Sequence, residues 1–174
     1  MKILLKIAGG LAVLVLLLVV VAFFLPRAYR VERSVVINAK PEAVHAQVAV
    51  LRAWKGWSAW HERDPQMKLD YSEQTTGVGA WASWISKNEG NGKMTITEQS
   101  PTKVLYHLEF PDQGFQSNGS MELVPDSGGV RLVWAGVGDL GMNPMNRWFG
   151  LFLDNLLGKD FERGLANLKM VVEK

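Results

Sequence analysis

Residues 143–172 read NPMNRWFGLFLDNLLGKDFERGLANLKMVV, and they form the longest helical pattern in the globular part of the chain. Asn143 suits an N-cap and Pro144 suits the first helical turn. Apolar residues recur at helical spacing as far as Val172, which predicts a helix of about eight turns. Gly158 marks a bend in this helix, or a place where a strand or ligand comes close. A long helix with one apolar face must pack that face against another layer.

The other layer is supplied by strands that precede the helix. The first is predicted at Tyr29–Asn38, and it is followed by a short amphipathic helix from Pro41 to Leu51. Turn residues then separate six strand-like runs, which indicates an antiparallel meander. These runs are Met67–Ser72, Ala80–Lys87, Lys93–Gln99, Lys103–Phe110, Phe115–Val124 and Val130–Val137.

Three tryptophans with a spacing of three lie between the short helix and the meander. Trp54, Trp57 and Trp60 align along a short helix or 3₁₀ turn. Three arrangements are open to them. They can pack under the long helix, line the mouth of a cavity, or touch a membrane interface, where tryptophan is favoured.

The N-terminal segment has the length and composition of a membrane anchor. No charge occurs from Ile7 to Leu25, and a helix over these residues is about 28 Å long, close to the thickness of the hydrocarbon core of a bilayer. We expect residues 1–28 to form a retained transmembrane anchor. The alternative is a cleaved signal peptide, but the sequence VAFFLP that ends the segment is a poor cleavage site.

Charges on the two sides of the anchor are nearly balanced. Lys2 and Lys6 precede it, while Arg27, Arg30 and Arg33 follow it with Glu32. A very short tail before a first helix favours a cytoplasmic N-terminus. The domain is therefore expected on the non-cytoplasmic side, which is the periplasm in a Gram-negative cell.

Composition excludes several classes of function. The chain has no cysteine, so disulfides, thiolate metal sites and thiol nucleophiles are absent. Its net charge of +2 comes from the two lysines of the anchor, and no basic stripe predicts binding of DNA or RNA. No spacing of His and carboxylates predicts a metal site, and no nucleotide or cofactor fingerprint is present.

Several motifs resemble the START/Bet v 1-like (SRPBCC) superfamily, within it the bacterial polyketide cyclase/dehydrase and lipid-transport-like group. The resemblance runs from about Tyr29 to the C-terminus. His45 is a departure, because an aromatic residue is usual at its position. The motifs are VERSVVINAKPEAV at residues 31–44, WKGWSAW at 54–60, Asp64-Pro65, Gly77-Val-Gly79 and GLANL at 164–168.

This resemblance implies an α+β helix-grip fold for residues 29–174. About seven antiparallel strands would curve round the long C-terminal helix, with two short helices after the first strand. It also implies a cavity between helix and sheet for hydrophobic or amphipathic molecules. The fold alone does not establish chemistry.

Alternation along the strands and helical spacing place a set of mostly apolar side chains on the facing surfaces of sheet and helix. We expect these side chains to line the cavity, or alternatively to form an ordinary filled core. They are Trp81, Met94, Ile96, Tyr106, Leu108, Phe110, Met121, Leu132, Trp134, Phe149, Leu153, Leu156 and Leu157.

Three functions fit these features. The first is a membrane-anchored module that binds a lipid-like molecule, with Tyr106 as a polar contact. The second is a cyclase or aromatase that uses His61 with an acidic residue as an acid/base pair. The third is a protein-interaction domain that presents a tryptophan-rich surface. No catalytic constellation can be assigned from the sequence.

Overall fold

The computed structural model describes residues 2–174, which contain four α-helices and seven β-strands. Two 3₁₀ turns lie at Leu51–Gly56 and Pro111–Gln113. The helices are α1 (Lys2–Ala22), α2 (Pro41–Ala49), α3 (Ala59–Arg63) and α4 (Pro144–Val172). The strands are β1 (Ala28–Ile37), β2 (Lys68–Tyr71), β3 (Trp81–Ile85), β4 (Gly92–Ser100), β5 (Lys103–Phe110), β6 (Phe115–Asp126) and β7 (Gly129–Asp139).

The strands form one antiparallel sheet in the order β1-β7-β6-β5-β4-β3-β2. Strands β2 to β7 are a meander, and β1 pairs with β7 from Ala28 opposite Asp139 to Ile37 opposite Val130. The predicted α+β helix-grip architecture is therefore confirmed. The short helix after β1 ends at Ala49, earlier than predicted, and a 3₁₀ turn follows from Leu51.

Helix α4 begins where its capping signals predict. The Asn143 Oδ1 accepts a hydrogen bond of 3.0 Å from the backbone N–H of Met145, and Pro144 is the first helical residue. Both residues act locally. Asn143 supplies an acceptor for an N–H group that has no partner in the first turn, and Pro144 has no N–H group that needs one.

The second half of α4 packs on one face of the sheet, called here the inner face. The Phe161 ring stacks on Trp134 of β7 with a centroid distance of 4.2 Å and an interplanar angle of 4°. Leu165 and Leu168 are buried beside this pair. Gly164 permits the close approach, because a Cβ there would lie 2.9 Å from the Trp134 ring.

Strand β1 runs alongside α4, and the side chain of its Arg33 packs against Gly158, one of the alternatives that the sequence left open for this glycine. A Cβ at Gly158 would lie 2.1 Å from the Arg33 guanidinium. That guanidinium bonds Asp154 at 3.0 Å and Glu162 at 2.6 Å, one turn before and one turn after the glycine. Glycine thus allows one arginine to bridge two turns of the helix.

Three inner-face glycines lie beneath aromatic rings from the neighbouring strand. Each aromatic residue is the direct cross-strand partner of the glycine it covers. A Cβ would approach the ring within 2.4 Å at each position. The rings can lie flat on the sheet because their partners have no side chain. The pairs are Trp84 with Gly92, Tyr106 with Gly119, and Tyr29 with Gly138.

Replacing Gly119 by alanine tests this arrangement. The added Cβ would lie 2.0 Å from the buried Tyr106 ring, so the ring must move. We expect Gly119→Ala to lower the free energy of unfolding by about 1–3 kcal/mol, as overpacked cores do. Thermal unfolding of the full chain in detergent measures the change. Gly56→Ala is the control, since no atom lies within 4 Å of its added Cβ; an equal loss there would contradict the explanation.

Candidate functional site

Aromatic side chains fill the inner face beneath the second half of α4. Trp54 and Trp57 pack against each other with ring centroids 4.7 Å apart, and both contact Trp134 edge-on. Trp60 adds a third edge-on contact to Trp134 at 5.8 Å. The tryptophan triplet thus packs under the helix, one of the three arrangements the sequence allowed. At this end of the domain, side chains occupy the space between helix and sheet.

A polar link crosses this aromatic core. The Trp134 Nε1–H donates a hydrogen bond of 2.7 Å to the Tyr106 hydroxyl oxygen. Both side chains are buried, with exposures of 0% and 3%. Burial raises the pKa of Tyr106 well above its usual value. The hydroxyl therefore stays protonated and satisfies an indole N–H that would otherwise be buried without a partner.

A second group of aromatic side chains lies on the inner face and is only half-buried. Phe110 contacts Trp84 at 5.8 Å and Phe115 at 6.0 Å, and Phe115 stacks on Tyr29 at 6.1 Å. We call Tyr29, Trp84, Phe110 and Phe115 the aromatic row. It runs across the sheet from β3 to β1, and Leu108 packs against the same core. This part of the inner face keeps accessible apolar surface.

The row has a polar group at its β1 end. The Tyr29 hydroxyl donates to the Ser117 Oγ at 3.0 Å, and Ser117 donates to the Val137 carbonyl at 3.1 Å. Burial raises the pKa of Tyr29. One end of the aromatic row is therefore hydroxyl-lined and the rest is apolar.

Two shallow concavities flank the start of β1, and Tyr29 lines both. One has a volume of about 500 Å³ and lies on the outer face of the sheet, where Arg30, Asn118 and Asp139 line it. The other, of about 170 Å³, lies between β1 and the first half of α4 and includes Arg147 and Leu151. Both open at the end of the domain that follows α1.

The thirteen predicted ligand contacts fall into three groups. The first group is exposed: Phe149 and Leu156 of α4 were expected to face the sheet, but their side chains are open to the surroundings. Of the half-buried ones, Leu108 and Leu157 pack against the core cluster, and Phe110 contacts Trp84 and Phe115. Trp81 lies on the outer face, which corrects its expected position. The fully buried ones are Met94, Ile96, Tyr106, Met121, Leu132, Trp134 and Leu153.

Trp81 and Trp84 are three apart on β3, so they lie on opposite faces of the sheet. Trp84 takes the inner face, and Lys93 covers the outer Trp81 ring at 5.1 Å. Sequence reasoning also missed Tyr29 and Phe115, although even spacing from Val31 and Met121 places both on the inner face. Contact of any of these residues with a ligand stays a prediction.

The polar cluster around α3 is held by structural bonds. Glu62 pairs with Arg163 at 2.5 Å, which holds the pKa of Glu62 at about 2. Arg63 pairs with Asp160 of α4 and with Glu89. The two ring nitrogens of His61 are buried and have no hydrogen-bond partner among residues 2–174. His61 therefore forms no acid/base pair with the neighbouring carboxylates.

The other two histidines make defined contacts. The His45 Nε2 lies 2.8 Å from the Ser100 carbonyl and joins α2 to the end of β4. The His107 Nδ1 lies 2.8 Å from the Asn118 Oδ1 on the outer face of the sheet. Neither faces the aromatic row.

These features define a helix-grip domain, in which a curved antiparallel sheet carries an accessible aromatic row beside a long C-terminal helix. The sequence profile described as polyketide cyclase / dehydrase and lipid transport matches residues 28–173. The chain belongs to this family, which confirms the resemblance seen in its motifs. A comparison with curated proteins finds no match.

Solved structures are similar in fold. A protein from Chromobacterium violaceum is 20% identical, with a TM-score of 0.56 over 86% of this chain and 99% of its own. A protein from Thermobifida fusca is 21% identical, with a TM-score of 0.62 over 80% and 90% of the two chains. The di-domain ARO/CYC StfQ from the steffimycin biosynthetic pathway is 14% identical, with a TM-score of 0.63 over 84% of this chain and 51% of its own. These identities establish the fold alone.

Removing the Tyr106 hydroxyl tests the polar link in the core. Tyr106→Phe leaves the buried Trp134 N–H without an acceptor, which costs about 1–3 kcal/mol of folding free energy. Tyr29→Phe is the matched control, and a smaller loss is expected because Tyr29 is half-buried. Urea unfolding followed by tryptophan fluorescence measures both. Equal losses would mean that the Trp134–Tyr106 bond has no special weight.

His61 predicts a pH dependence of stability. Burial, with a smaller effect of Lys55, lowers the pKa of His61 below its usual 6.5. The unfolded chain then binds a proton that the folded protein does not, so stability falls as the pH drops below about 6.5. Urea midpoints at pH 7.5 and 5.5 should differ more for the native protein than for His61→Leu. Between pH 7.5 and 8.5 the two should respond alike; equal responses in both intervals would contradict the assignment.

Proposed function

We propose that the protein is a membrane-anchored module that binds a hydrophobic or amphipathic, lipid-like molecule. Residues 1–28 form the anchor and residues 29–174 the binding domain, on the non-cytoplasmic side of the membrane. The observation that carries this proposal is the half-buried aromatic row. A soluble domain normally buries adjacent aromatic rings on the inner face of its sheet, so accessible ones favour an apolar ligand.

The ligand then occupies a more restricted region of the inner face than the sequence suggested. Beneath the second half of α4, Trp54 and Trp57 already occupy the inner face. The aromatic row lies on the remaining part of that face. Leu108 and Phe110 are thus the predicted contacts that we assign to direct binding, with Trp84 and Phe115 added to them. The seven buried predicted residues belong to the hydrophobic interior of the protein.

The chemistry of the row favours an amphipathic ligand. An acyl or isoprenoid chain would lie along Trp84, Phe110 and Phe115, where it removes apolar surface from water. A polar end would reach the Tyr29 and Ser117 hydroxyls. The smaller concavity, between β1 and the first half of α4, gives room for that end beside Tyr29.

The anchor supports access to such a ligand. Helix α1 has 21 residues, and it is long and apolar enough to cross a membrane. Its side chains are exposed from Lys2 to Leu18, so the domain covers only its last turn. Tyr29 follows the apolar segment by only a few residues. Lipid molecules in the bilayer are thereby held at a high effective concentration near the row.

Two tryptophans on the same strand provide the test. The full chain in detergent is titrated with a fluorescent long-chain fatty acid. Loss of the large apolar contact in Trp84→Ala should weaken binding about tenfold or more. Trp81→Ala removes the same side chain from the outer face and should leave the affinity within about twofold.

Two further measurements complete this test. Trp84→Phe keeps an aromatic ring and should recover most of the affinity, which separates a lost contact from a damaged fold. Native mass spectrometry of the protein purified in mild detergent should detect an apolar passenger. Equal affinities in Trp84→Ala, Trp81→Ala and the native protein would refute binding at the aromatic row.

A further inference from the structure

The first half of α4 exposes a stripe of large apolar side chains. Met145, Phe149, Phe152 and Leu156 have exposures of 74%, 53%, 59% and 50%. Their spacings of three and four residues place them on one face of the helix. We call these four residues the apolar stripe. It is separate from the aromatic row, whose members belong to the sheet.

The same face changes character in the second half of α4. It continues as Asp160, Arg163 and Asn167, which bond to residues of α3. Helix α3 therefore covers this face where it is polar, while the apolar part has no such cover within residues 2–174. Between Met142 and Leu157 the only charged residues are Arg147 and Asp154, whereas seven follow in the remaining C-terminal stretch.

Contacts with α1 place the start of α4 beside the anchor. The Trp148 Nε1–H donates to the Leu18 carbonyl at 3.1 Å. The Arg147 guanidinium donates to the Phe23 carbonyl at 3.0 Å and lies 5.5 Å from the centre of its ring. Leu18 lies about one turn before Ala22, the last residue of α1. The start of α4 therefore lies at the depth of the last turns of the anchor.

We propose that the apolar stripe lies in the interfacial region of the lipid bilayer that α1 spans. This inference rests on the membrane attachment in the proposed function, but not on the ligand. A helix with one apolar face can lie in the boundary between headgroups and acyl chains and bury that face there. Trp148 beside the stripe is of the type favoured at this depth, since it joins an apolar ring system to a polar N–H group.

The absence of cysteine makes the test direct, because each introduced cysteine is the only one in the chain. Nitroxide labels are placed singly at Phe149→Cys, Phe152→Cys and Ala166→Cys of the full chain. The chain is reconstituted in vesicles of phosphatidylcholine and phosphatidylglycerol. Power saturation then compares collisions with oxygen, which is enriched in the bilayer, and with a nickel chelate, which is confined to water.

We expect labels at 149 and 152 to favour oxygen collisions over nickel by several-fold, and the exposed Ala166 position in the polar half of α4 to favour nickel. Leu14→Cys in α1 reports whether the anchor spans the bilayer. Circular dichroism of each labelled chain verifies that it is folded.

Three results would overturn the inference. In the first, labels at 149 and 152 collide with the nickel chelate as readily as the label at 166, while the label at 14 is in the bilayer. This result would place the stripe in water and leave the anchor intact. In the second, the spectrum of the label at 149 shows dipolar broadening that disappears when unlabelled chain is added. This result would mean that the stripe packs against a second copy of the chain. A water-exposed Leu14 removes the membrane attachment itself, and the stripe's bilayer contact with it.

Discussion

The face-to-face stack of Trp134 on Phe161 holds the long helix against the sheet. Its centroid distance of 4.2 Å leaves no room for a side chain between helix and strand. Gly136 and Gly164 permit this approach, because a Cβ would lie 3.2 Å from the Phe161 ring at Gly136 and 2.9 Å from the Trp134 ring at Gly164, closer than ordinary van der Waals contact. Trp54, Trp57 and Trp60 then pack around the stack edge-on, the preferred geometry for neighbouring aromatic rings.

Closure at one end of the molecule determines what remains open at the other. The second half of α4 is joined to the sheet by the aromatic stack and to α3 by ion pairs, while its first half contacts α1 and the start of β1. Accessible apolar surface is consequently concentrated at the end next to α1, in the aromatic row on the sheet and the apolar stripe on the helix. The family resemblance implied a cavity between helix and sheet. In this protein the interior is filled at one end, and an open apolar surface lies at the other.

Local signals in the sequence predicted most of the fold. The Asn143-Pro144 pair begins α4, and alternation along β5 and β7 gives the correct inner faces, because both effects act over a few residues. The position of Trp81 was not predictable in the same way. The alternation of side chains along a strand puts Trp81 and Trp84 on opposite faces of the sheet, but it does not show which of the two faces the helix. That choice depends on Gly92, which lies across the strand and accepts the Trp84 ring.

The site was less predictable because it depends on what covers each surface. Helical spacing identifies Phe149 and Leu156 as apolar positions, yet it cannot say whether a sheet, a second helix or solvent lies opposite. The filled interior likewise depends on where the segment around Trp54 folds back, which is a long-range property. The inner-face position of Tyr29 and Phe115 could have been predicted, since they continue the alternation of Val31 on β1 and of Met121 on β6.

The paired glycines and aromatic rings on adjacent strands have a consequence for divergence among relatives. A larger residue opposite an intact ring creates a clash, and a smaller ring opposite an intact glycine leaves a hole in the layer. Either change alone is costly, whereas exchanging both members preserves the combined volume. Tyr106 and Gly119, which face each other on adjacent strands, should therefore covary across the family as a bulky residue with a minimal one.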